Sequence, residues 1–301
     1  MSNVVVVGGG AAGMTAAMAA AGSGHSVLLL EKNEKLGKKL FITGKGRCNV
    51  TNACDMEELM AGVVTNSRFL YSSFYGFTNR DMMDLLERCG CPLKVERGNR
   101  VFPVSDHSSD VIRALADGMR DLGVQVRLNT EVDSLILADG CVRGVRIRGG
   151  REELPADAVV VATGGLSYPT TGSTGDGLRF AGEAGHKVTE LSPALVPFNV
   201  KEAELARELQ GLALKNVEVT VLDGKRELYR EFGEMLFTHF GVSGPVLLSA
   251  SSFCAKAIRR HPLTMEIDLK PALSEKQLDE RILRDFGEAK NRQFKNALNH
   301  L

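Results

Sequence analysis

The first 31 residues contain the feature that most restricts what this chain can fold into. An apolar run at residues 4–7 leads into a glycine-rich turn at residues 8–13, and a second apolar run at residues 27–30 ends at Glu31. Strand, glycine turn, helix, second strand and acid follow the order of a βαβ unit that binds a dinucleotide. A glycine fingerprint alone is common, but here the strands, the helix and the acidic residue around it all occur at the expected positions. The sequence therefore predicts a dinucleotide site at this turn rather than an ordinary βαβ turn.

Each glycine of the turn has its own expected role. Gly8 permits the tight turn out of the strand, Gly10 lets the backbone approach a pyrophosphate, and Gly13 lets the helix pack close to the sheet. The N-terminus of that helix then faces the anion. Glu31 lies where a carboxylate accepts hydrogen bonds from an adenosine ribose, and it disfavours a 2′-phosphate. FAD or NAD is therefore expected rather than NADP.

Composition and charge exclude several classes of function. Lys and Arg together number 37, as do Asp and Glu, so no overall field attracts nucleic acid or an anionic membrane, although local patches stay possible. No apolar run approaches the roughly 20 residues of a membrane-spanning helix, and no basic segment precedes the first apolar run. We therefore expect a soluble cytoplasmic protein with no membrane partner.

The six cysteines are too scattered for a disulfide framework. Cys89 and Cys91 form the one close pair, without a second pair or neighbouring histidines, which is weak evidence for zinc. Reduced thiols and no metal site are expected.

The rest of the chain divides by periodicity. Helical spacing at residues 108–122 and a hairpin over 132–147, closed by an Asp-Gly turn, precede a buried strand at 157–161. Alternation and turn residues predict a β-rich part from residue 191, and residues 274–301 have the pattern of a charged helix. The predicted class is α/β, with a nucleotide-binding domain at 1–190, an inserted β-rich domain at 191–270 and the start of a helical domain at 271–301.

A second small-residue turn, A-T-G-G, follows the strand at residues 157–161. Because ligands of open α/β sheets gather at the carboxyl ends of strands, this turn and the first are expected to line one crevice. A plain strand-to-helix turn is the alternative.

The segment T-G-K-G-R-C-N-V-T-N at residues 43–52 is much more restrictive than the glycine fingerprint. With the first turn, it resembles the YhiN/BaiN-like family of FAD-dependent oxidoreductases, which are aminoacetone oxidase-like flavoproteins. Further matches are R-V-F-P at 100–103, S-Y-P at 167–169, G-S-T-G-D-G at 172–177 and F-T-H-F-G-V-S-G-P at 237–245. The resemblance covers essentially the whole chain. It implies a glutathione-reductase-like FAD-binding Rossmann domain with an inserted β-rich domain and the start of a helical one.

The resemblance also implies which residues touch the cofactor. Residues 44–49 would lie near the isoalloxazine ring, Val132 would offer its backbone to adenine, and residues 162–164 would lie near the pyrophosphate and flavin. With the glycine turn and the basic residues below, the candidate ligands are Gly8, Gly10, Ala11, Ala12, Gly13, Glu31, Lys32, Lys39, Thr43, Gly44, Arg47, Cys48, Asn49, Val132, Ala162, Thr163 and Gly164.

Basic residues in the glycine-rich loop are candidates for charge stabilisation. Lys38, Lys39 and Arg47 would stabilise a phosphate or a reduced, anionic flavin ring, and Arg47 is the one most expected to be engaged. The lysines at positions 32, 35 and 45 are more typical of a solvated face, although Lys32 is kept among the candidate ligands.

One departure from the family pattern concerns the end of the chain. Similar proteins are longer at the C-terminus by about part of a further domain. That part includes a glycine-rich FAD segment resembling G-E-x-x-D-x-x-G-x-x-G-G-Y-N, which is not in this sequence. The resemblance therefore predicts a C-terminally truncated chain whose FAD site is formed but incompletely closed.

The family's reactions imply reduction of an activated carbon–carbon double bond by hydride transfer from reduced flavin. NADH or NADPH is the expected electron donor. Cys48 and His239 are the candidate catalytic acids; packing is the alternative role for Cys48, and fixing a turn is the alternative for His239.

Three functions are compatible with these sequence features and with the resemblance. The first is an ene-reductase acting on a steroid-type small molecule. The second is a dihydrouridine synthase acting on ribosomal RNA, with residues 32–47 and the basic helix at 281–295 as phosphate contacts. The third is an inactive fragment with an incomplete FAD site. The oligomeric state is left open.

Overall fold

The computed structural model describes residues 1–288, and contacts divide the chain into two units between Thr189 and Glu190. The predicted domain limits and the inserted character of the β-rich part stay predictions. The predicted helical segments at 274–301 and 281–295 lie partly outside the described residues.

The first unit contains the predicted βαβ start. Its strands are β1 Asn3–Val7, β2 Ser26–Leu30, β3 Thr51–Asn52, β4 Leu93–Glu96, β5 Arg100–Pro103, β6 Gln125–Arg127, β7 Val132–Ala138, β8 Cys141–Ile147, β9 Glu153–Pro155 and β10 Ala158–Val161. Its α-helices are α1 Ala11–Gly22, α2 Lys38–Ile42, α3 Met56–Ala61, α4 Tyr71–Gly76, α5 Asn79–Arg88, α6 Ser108–Asp121 and α7 Asp176–Glu183, with short 3₁₀ turns at Thr43–Gly46, Ser67–Leu70 and Pro169–Thr171.

The centre of this unit is a parallel sheet with the order β10-β1-β2-β6. Successive side chains of a strand point to opposite faces, so β1 contributes to two apolar clusters. Val4 and Val6 pack with α1 and α6 on one face, while Val5 and Val7 pack with β7, β8 and Phe180 on the other. Burying each valine stabilises the fold by about 1.5–3 kcal/mol. The continuous apolar run at residues 4–7 follows from this burial on both faces.

The remaining sheets of the first unit are antiparallel. One has the order β7-β8-β9 and the other the order β3-β5-β4. The predicted hairpin is present: β7 pairs antiparallel with β8, and Asp139 and Gly140 between them have positive φ values of 53° and 72°. Two positive φ values are typical of the tight turn that matches strand twist.

The second unit is an antiparallel sheet covered on one face by a helix. Its strands, in the order β11-β14-β13-β12-β15, are β11 Phe198–Asn199, β12 Ala213–Asp223, β13 Arg226–Thr238, β14 Gly241–Ser243 and β15 Thr264–Asp268. Its helices are α8 Ala203–Glu208, α9 Pro245–Cys254 and α10 Glu275–Glu288. Leu247 and Ala250 of α9 are fully buried in a cluster with Val217, Val219 and Val221 of β12. Among residues 1–288, no helix is long and apolar enough to cross a membrane.

Candidate dinucleotide-binding site

A cavity of about 880 Å³ lies at the carboxyl edge of the parallel sheet. The last residues of β1, β2 and β10, which are Val7, Leu30 and Val161, all line it. Because the strands are parallel, the two small-residue turns that follow β1 and β10 also meet here. The predicted ligands that line the cavity are Gly8, Gly10, Ala11, Ala12, Glu31, Lys32, Lys39, Thr43, Cys48, Asn49, Val132, Ala162, Thr163 and Gly164.

The glycines of the first turn are required for different reasons. Gly8 has a φ of +111°, and a Cβ there would lie 2.4 Å from the carbonyl oxygen of Ala162. A Cβ at Gly13, which does not line the cavity, would lie 1.8 Å from the carbonyl oxygen of Gly8. A Cβ at Gly10 would meet nothing within 4 Å. Packing therefore requires Gly8 and Gly13, whereas Gly10 keeps open a part of the cavity next to the start of α1.

Glu31 has a structural role that spacing alone did not reveal. Its residue is only 7% exposed, and its Oε2 accepts a hydrogen bond of 2.7 Å from the backbone N–H of Gly9. Its Oε1 accepts hydrogen bonds from the backbone N–H of Asn33 at 2.8 Å and the Asn33 side-chain amide at 2.6 Å. The carboxylate thus ties the glycine turn to the end of β2. Its Oε2 keeps one acceptor position, which is compatible with the predicted ribose contact.

Asn33 is a site residue that the sequence reasoning missed. Its amide also donates to the carbonyl oxygen of Thr171 at 3.2 Å, and its Oδ1 accepts from the ammonium of Lys38 at 3.3 Å. It therefore joins Glu31 to the segment around Thr171 on the far wall of the cavity. Nothing in its local pattern distinguishes it from the other polar residues between 32 and 52.

The basic side chains of the loop differ in whether they are already paired. Lys32 donates to Asp176 and Thr174, each at 2.7 Å, and Lys38 pairs with Glu34 at 3.3 Å. Burial raises the pKa of Asp176, but the hydrogen bonds from Lys32 and Thr174 together with the charges of Lys32 and Arg179 lower it overall. These two ammonium groups are therefore held by the protein itself.

Among the three lysines that line the cavity, Lys39 is the one that forms no ion pair with a described carboxylate and is left for an anionic ligand. Its Nζ donates to Oγ of the buried Ser173 at 2.5 Å, and no carboxylate of the described residues forms an ion pair with it. A Cβ on Gly164, in the second turn, would lie 3.8 Å from this Nζ. Lys39 thus presents a half-buried positive charge beside the second turn.

Replacing Lys39 with methionine is expected to weaken FAD binding about tenfold or more. A hydrogen bond to a charged group contributes about 1.5–3 kcal/mol, and 1.4 kcal/mol corresponds to tenfold in affinity. Titration monitored by flavin fluorescence measures the change. The control is Lys35→Met, because Lys35 is exposed in the same segment and lies outside the cavity lining. Equal losses in the two variants would contradict a specific role for Lys39.

Arg47 lies outside the cavity lining, in an ion-pair cluster. Its guanidinium donates to Asp106 at 2.8 and 2.6 Å and to Glu96 at 2.5 Å, and its Cζ lies 4.1 Å from the centre of the Phe102 ring. Hydrogen bonds from Arg47 lower the pKa of Glu96, and hydrogen bonds from Lys94 and Arg47 lower that of Asp106. Carboxylates rather than a phosphate occupy the donors of this arginine.

The two candidate acids lie in different units. Cys48 is buried, lines the cavity and has a φ of +60°. Burial raises the pKa of its thiol, which the Thr43 side chain opposes in part, so the thiol is neutral near pH 7. His239 is exposed in the second unit, with its ring edge-on to that of Phe240 at 4.9 Å between centroids. A catalytic role for either residue stays a prediction.

Residues 2–257 match the family described as HI0933-like protein Rossmann domain. A 3-dehydro-bile acid delta(4,6)-reductase of Clostridium scindens is 30% identical over 281 residues, which cover 92% of this chain and 67% of that protein. A ribosomal RNA dihydrouridine synthase of Escherichia coli is 31% identical over 251 residues, which cover 83% of this chain and 60% of that protein. The chain thus spans 60 to 67% of the length of these relatives.

Among solved structures, the open conformation of a flavocytochrome c3 fumarate reductase aligns with a TM-score of 0.47 and 25% sequence identity, covering 71% of this chain and 47% of that one.

Proposed function

The chain belongs to the HI0933-like family of FAD-binding Rossmann proteins, and on this premise we propose that it reduces an activated carbon–carbon double bond in a small conjugated enone. The observation that carries the proposal is the composition of the cavity. One part has glycine turns, a helix N-terminus and the ammonium group of Lys39, while another wall is apolar. The apolar wall consists of Leu40, Val50, Met82, Val111 and Leu115.

The residues present fit FAD. The volume of about 880 Å³ is within the usual range of cofactor sites. The open position at Gly10 and the N–H groups at the start of α1 suit a pyrophosphate, and Lys39 supplies a positive charge nearby. When bound, FAD would supply a hydride acceptor and donor. The polar and apolar walls match the two chemically different halves of such a ligand.

We assign the proton that completes the reduction to Cys48. Cys48 lines the cavity and belongs to the same apolar cluster as the residues of the apolar wall, so a substrate held against that wall would lie near its thiol. Burial raises the pKa of the thiol, so it carries a proton near pH 7 that it can give to the carbon next to the one that receives the hydride. NADH or NADPH stays the expected electron donor.

Ribosomal RNA is the second candidate substrate, because a relative of similar identity bears that name. The contacts of residues 32–47 favour it less. Lys32, Lys38 and Arg47 are paired with carboxylates inside the protein, so half of the six basic residues in this segment are already engaged.

The proposed reaction is tested with FAD-loaded protein reduced anaerobically by dithionite. We expect visible absorbance of one FAD per chain, and reoxidation on mixing with a conjugated steroid enone. The saturated ketone of the same skeleton is the matched control and should not reoxidise the flavin. A chain that retains no flavin, or reduced protein that no conjugated enone reoxidises, would contradict the proposal.

In the same assay, a uridine-containing ribosomal RNA fragment that reoxidises the flavin when no enone does would favour the second substrate. Cys48→Ser should bind flavin normally and slow reoxidation by about 100-fold, while the exposed Cys141→Ser should not. Equal rates in these two variants would remove Cys48 as the proton donor.

A further inference from the structure

The loop that carries Cys48 has an unusual backbone. Gly44, Lys45, Gly46 and Cys48 all have positive φ, at 57°, 58°, 88° and 60°. Glycine adopts this region freely, but Lys45 and Cys48 have a Cβ and adopt it only at an energetic cost. Such a conformation persists where contacts outside the loop hold it in place.

Within the loop, the backbone hydrogen bonds of Arg47 and Cys48 are local, and the N–H of Arg47 donates to both Gly44 and Thr43. The N–H of Arg47 donates to the carbonyl oxygen of Gly44 at 3.3 Å, and the N–H of Cys48 donates to that of Thr43 at 3.1 Å. The ladder with β5 begins only at Val50, whose N–H donates to the carbonyl oxygen of Val101 at 2.8 Å. These hydrogen bonds alone do not fix residues 44–48 against the rest of the unit.

The side chain of Arg47 attaches the loop to the neighbouring hairpin, in addition to the packing of Cys48 in the apolar cluster. It bridges Glu96, the last residue of β4, and Asp106, in the turn after β5, while its guanidinium lies over the ring of Phe102 in β5. Lys94 completes the cluster, since its Nζ lies 2.7 Å from Asp106 and 3.5 Å from Glu96. Two positive and two negative charges thus balance, and the arginine connects the loop to the hairpin by three hydrogen bonds.

The loop therefore has two sides. Arg47 holds it to the β4–β5 hairpin, and the next residues, Cys48 and Asn49, line the cavity. A planar guanidinium can reach both carboxylates and stack on the ring at the same time, which a lysine ammonium cannot do. The position thus requires arginine geometry and not merely a positive charge.

We propose that Arg47 is a positioning residue that locks the left-handed turn at residues 44–48 and thereby fixes the Cys48 thiol in the cavity. The proposal rests on the proposed function only for the chemical use of that thiol. The position of the thiol can be measured without flavin or substrate.

The test compares the full chain with its Arg47→Met and Arg47→Lys variants, without added FAD. Iodoacetamide labels the protein at one fixed pH, and peptide mass spectrometry gives the rate for each cysteine. We expect labelling of Cys48 to accelerate about tenfold in both variants. This corresponds to a decrease of roughly 1.4 kcal/mol in the free energy of local opening, which raises the open population tenfold.

Internal controls separate positioning from general loosening. Cys91 lies in the same apolar cluster as Cys48, and Cys254 is fully buried in the second unit. Their labelling should be unchanged. The matched variant is Arg113→Met, which removes an exposed arginine paired with Asp110 on α6 and should leave Cys48 protected.

Three outcomes would overturn the proposal: unchanged labelling of Cys48, an equal acceleration at Cys91, or full protection restored by lysine. Where Arg47→Met does not fold, Asp106→Asn replaces it, with an expected acceleration of about threefold because the contact with Glu96 stays. A chain that binds no FAD would contradict the proposed function and leave this measurement intact.

Discussion

Gly13→Val is expected to destabilise the first unit strongly, whereas Gly10→Val leaves it folded and lowers its affinity for FAD. A Cβ at Gly13 would lie 1.8 Å from the carbonyl oxygen of Gly8, so α1 would have to move away from the sheet. Overpacking of this kind costs about 3 kcal/mol or more, a large part of the stability of a typical domain.

At Gly10 a Cβ would meet no protein atom within 4 Å, and the backbone there is extended, with φ of −82°. Valine adopts this conformation without strain. It would fill the space that a pyrophosphate needs, and we expect affinity for FAD to fall about 100-fold.

Thermal unfolding by circular dichroism and flavin absorbance after desalting measure the two effects separately. Gly22→Val is the control, because Gly22 lies in the same helix and outside the cavity lining, and a Cβ there would meet nothing within 4 Å. A Gly10 variant that melts early, or that keeps stoichiometric flavin, would contradict the role assigned to that glycine.

Glu31→Ala is expected to destabilise the protein even in the absence of FAD. The substitution removes a buried carboxylate and leaves the buried N–H of Gly9 and the part-buried N–H of Asn33 without their partner, while the Asn33 amide keeps its hydrogen bond to Thr171. Leaving a buried donor unsatisfied costs about 1–3 kcal/mol, so a loss of about 2 kcal/mol in the free energy of unfolding is expected.

Urea unfolding of the FAD-free protein provides the measurement. The free energy of unfolding of Glu31→Gln should lie between those of the wild type and the alanine variant. The oxygen of the glutamine amide still accepts a hydrogen bond, but its NH₂ group faces a donor where the second carboxylate oxygen was an acceptor. The control, Glu34→Ala, removes an exposed carboxylate paired with Lys38 and should leave the free energy of unfolding nearly unchanged. If Glu31 only bound ribose, its alanine variant would unfold like the wild type and lose affinity for FAD alone.

The sequence could predict those features that depend on neighbouring residues. The βαβ start follows from glycine spacing and burial period, and the hairpin at Asp139 and Gly140 follows from turn chemistry. The common cavity of the two turns follows from the parallel direction of β1 and β10. Local backbone preference and strand direction determine all of these.

The pairing partners of the charged side chains could not be predicted in this way. Arg47 pairs with Glu96 and Asp106, which lie 49 and 59 positions further along the chain, and Lys39 donates to Ser173, which lies 134 positions further along. Which lysine stays available therefore depends on distant segments that no local pattern specifies. The second role of Glu31 was hidden for a related reason, since spacing shows where a carboxylate lies but not which donors surround it.

The division of β1 between two apolar clusters has a thermodynamic consequence for the site. Its alternate valines stabilise both faces of the sheet, and its last residue leads directly into the turn at Gly8. A ligand that binds only the folded turn shifts the folding equilibrium, by about 2.7 kcal/mol at a concentration 100 times its Kd. Because one strand connects the turn to both clusters, we expect ligand binding in the cavity to raise the free energy of unfolding of the surrounding core as well.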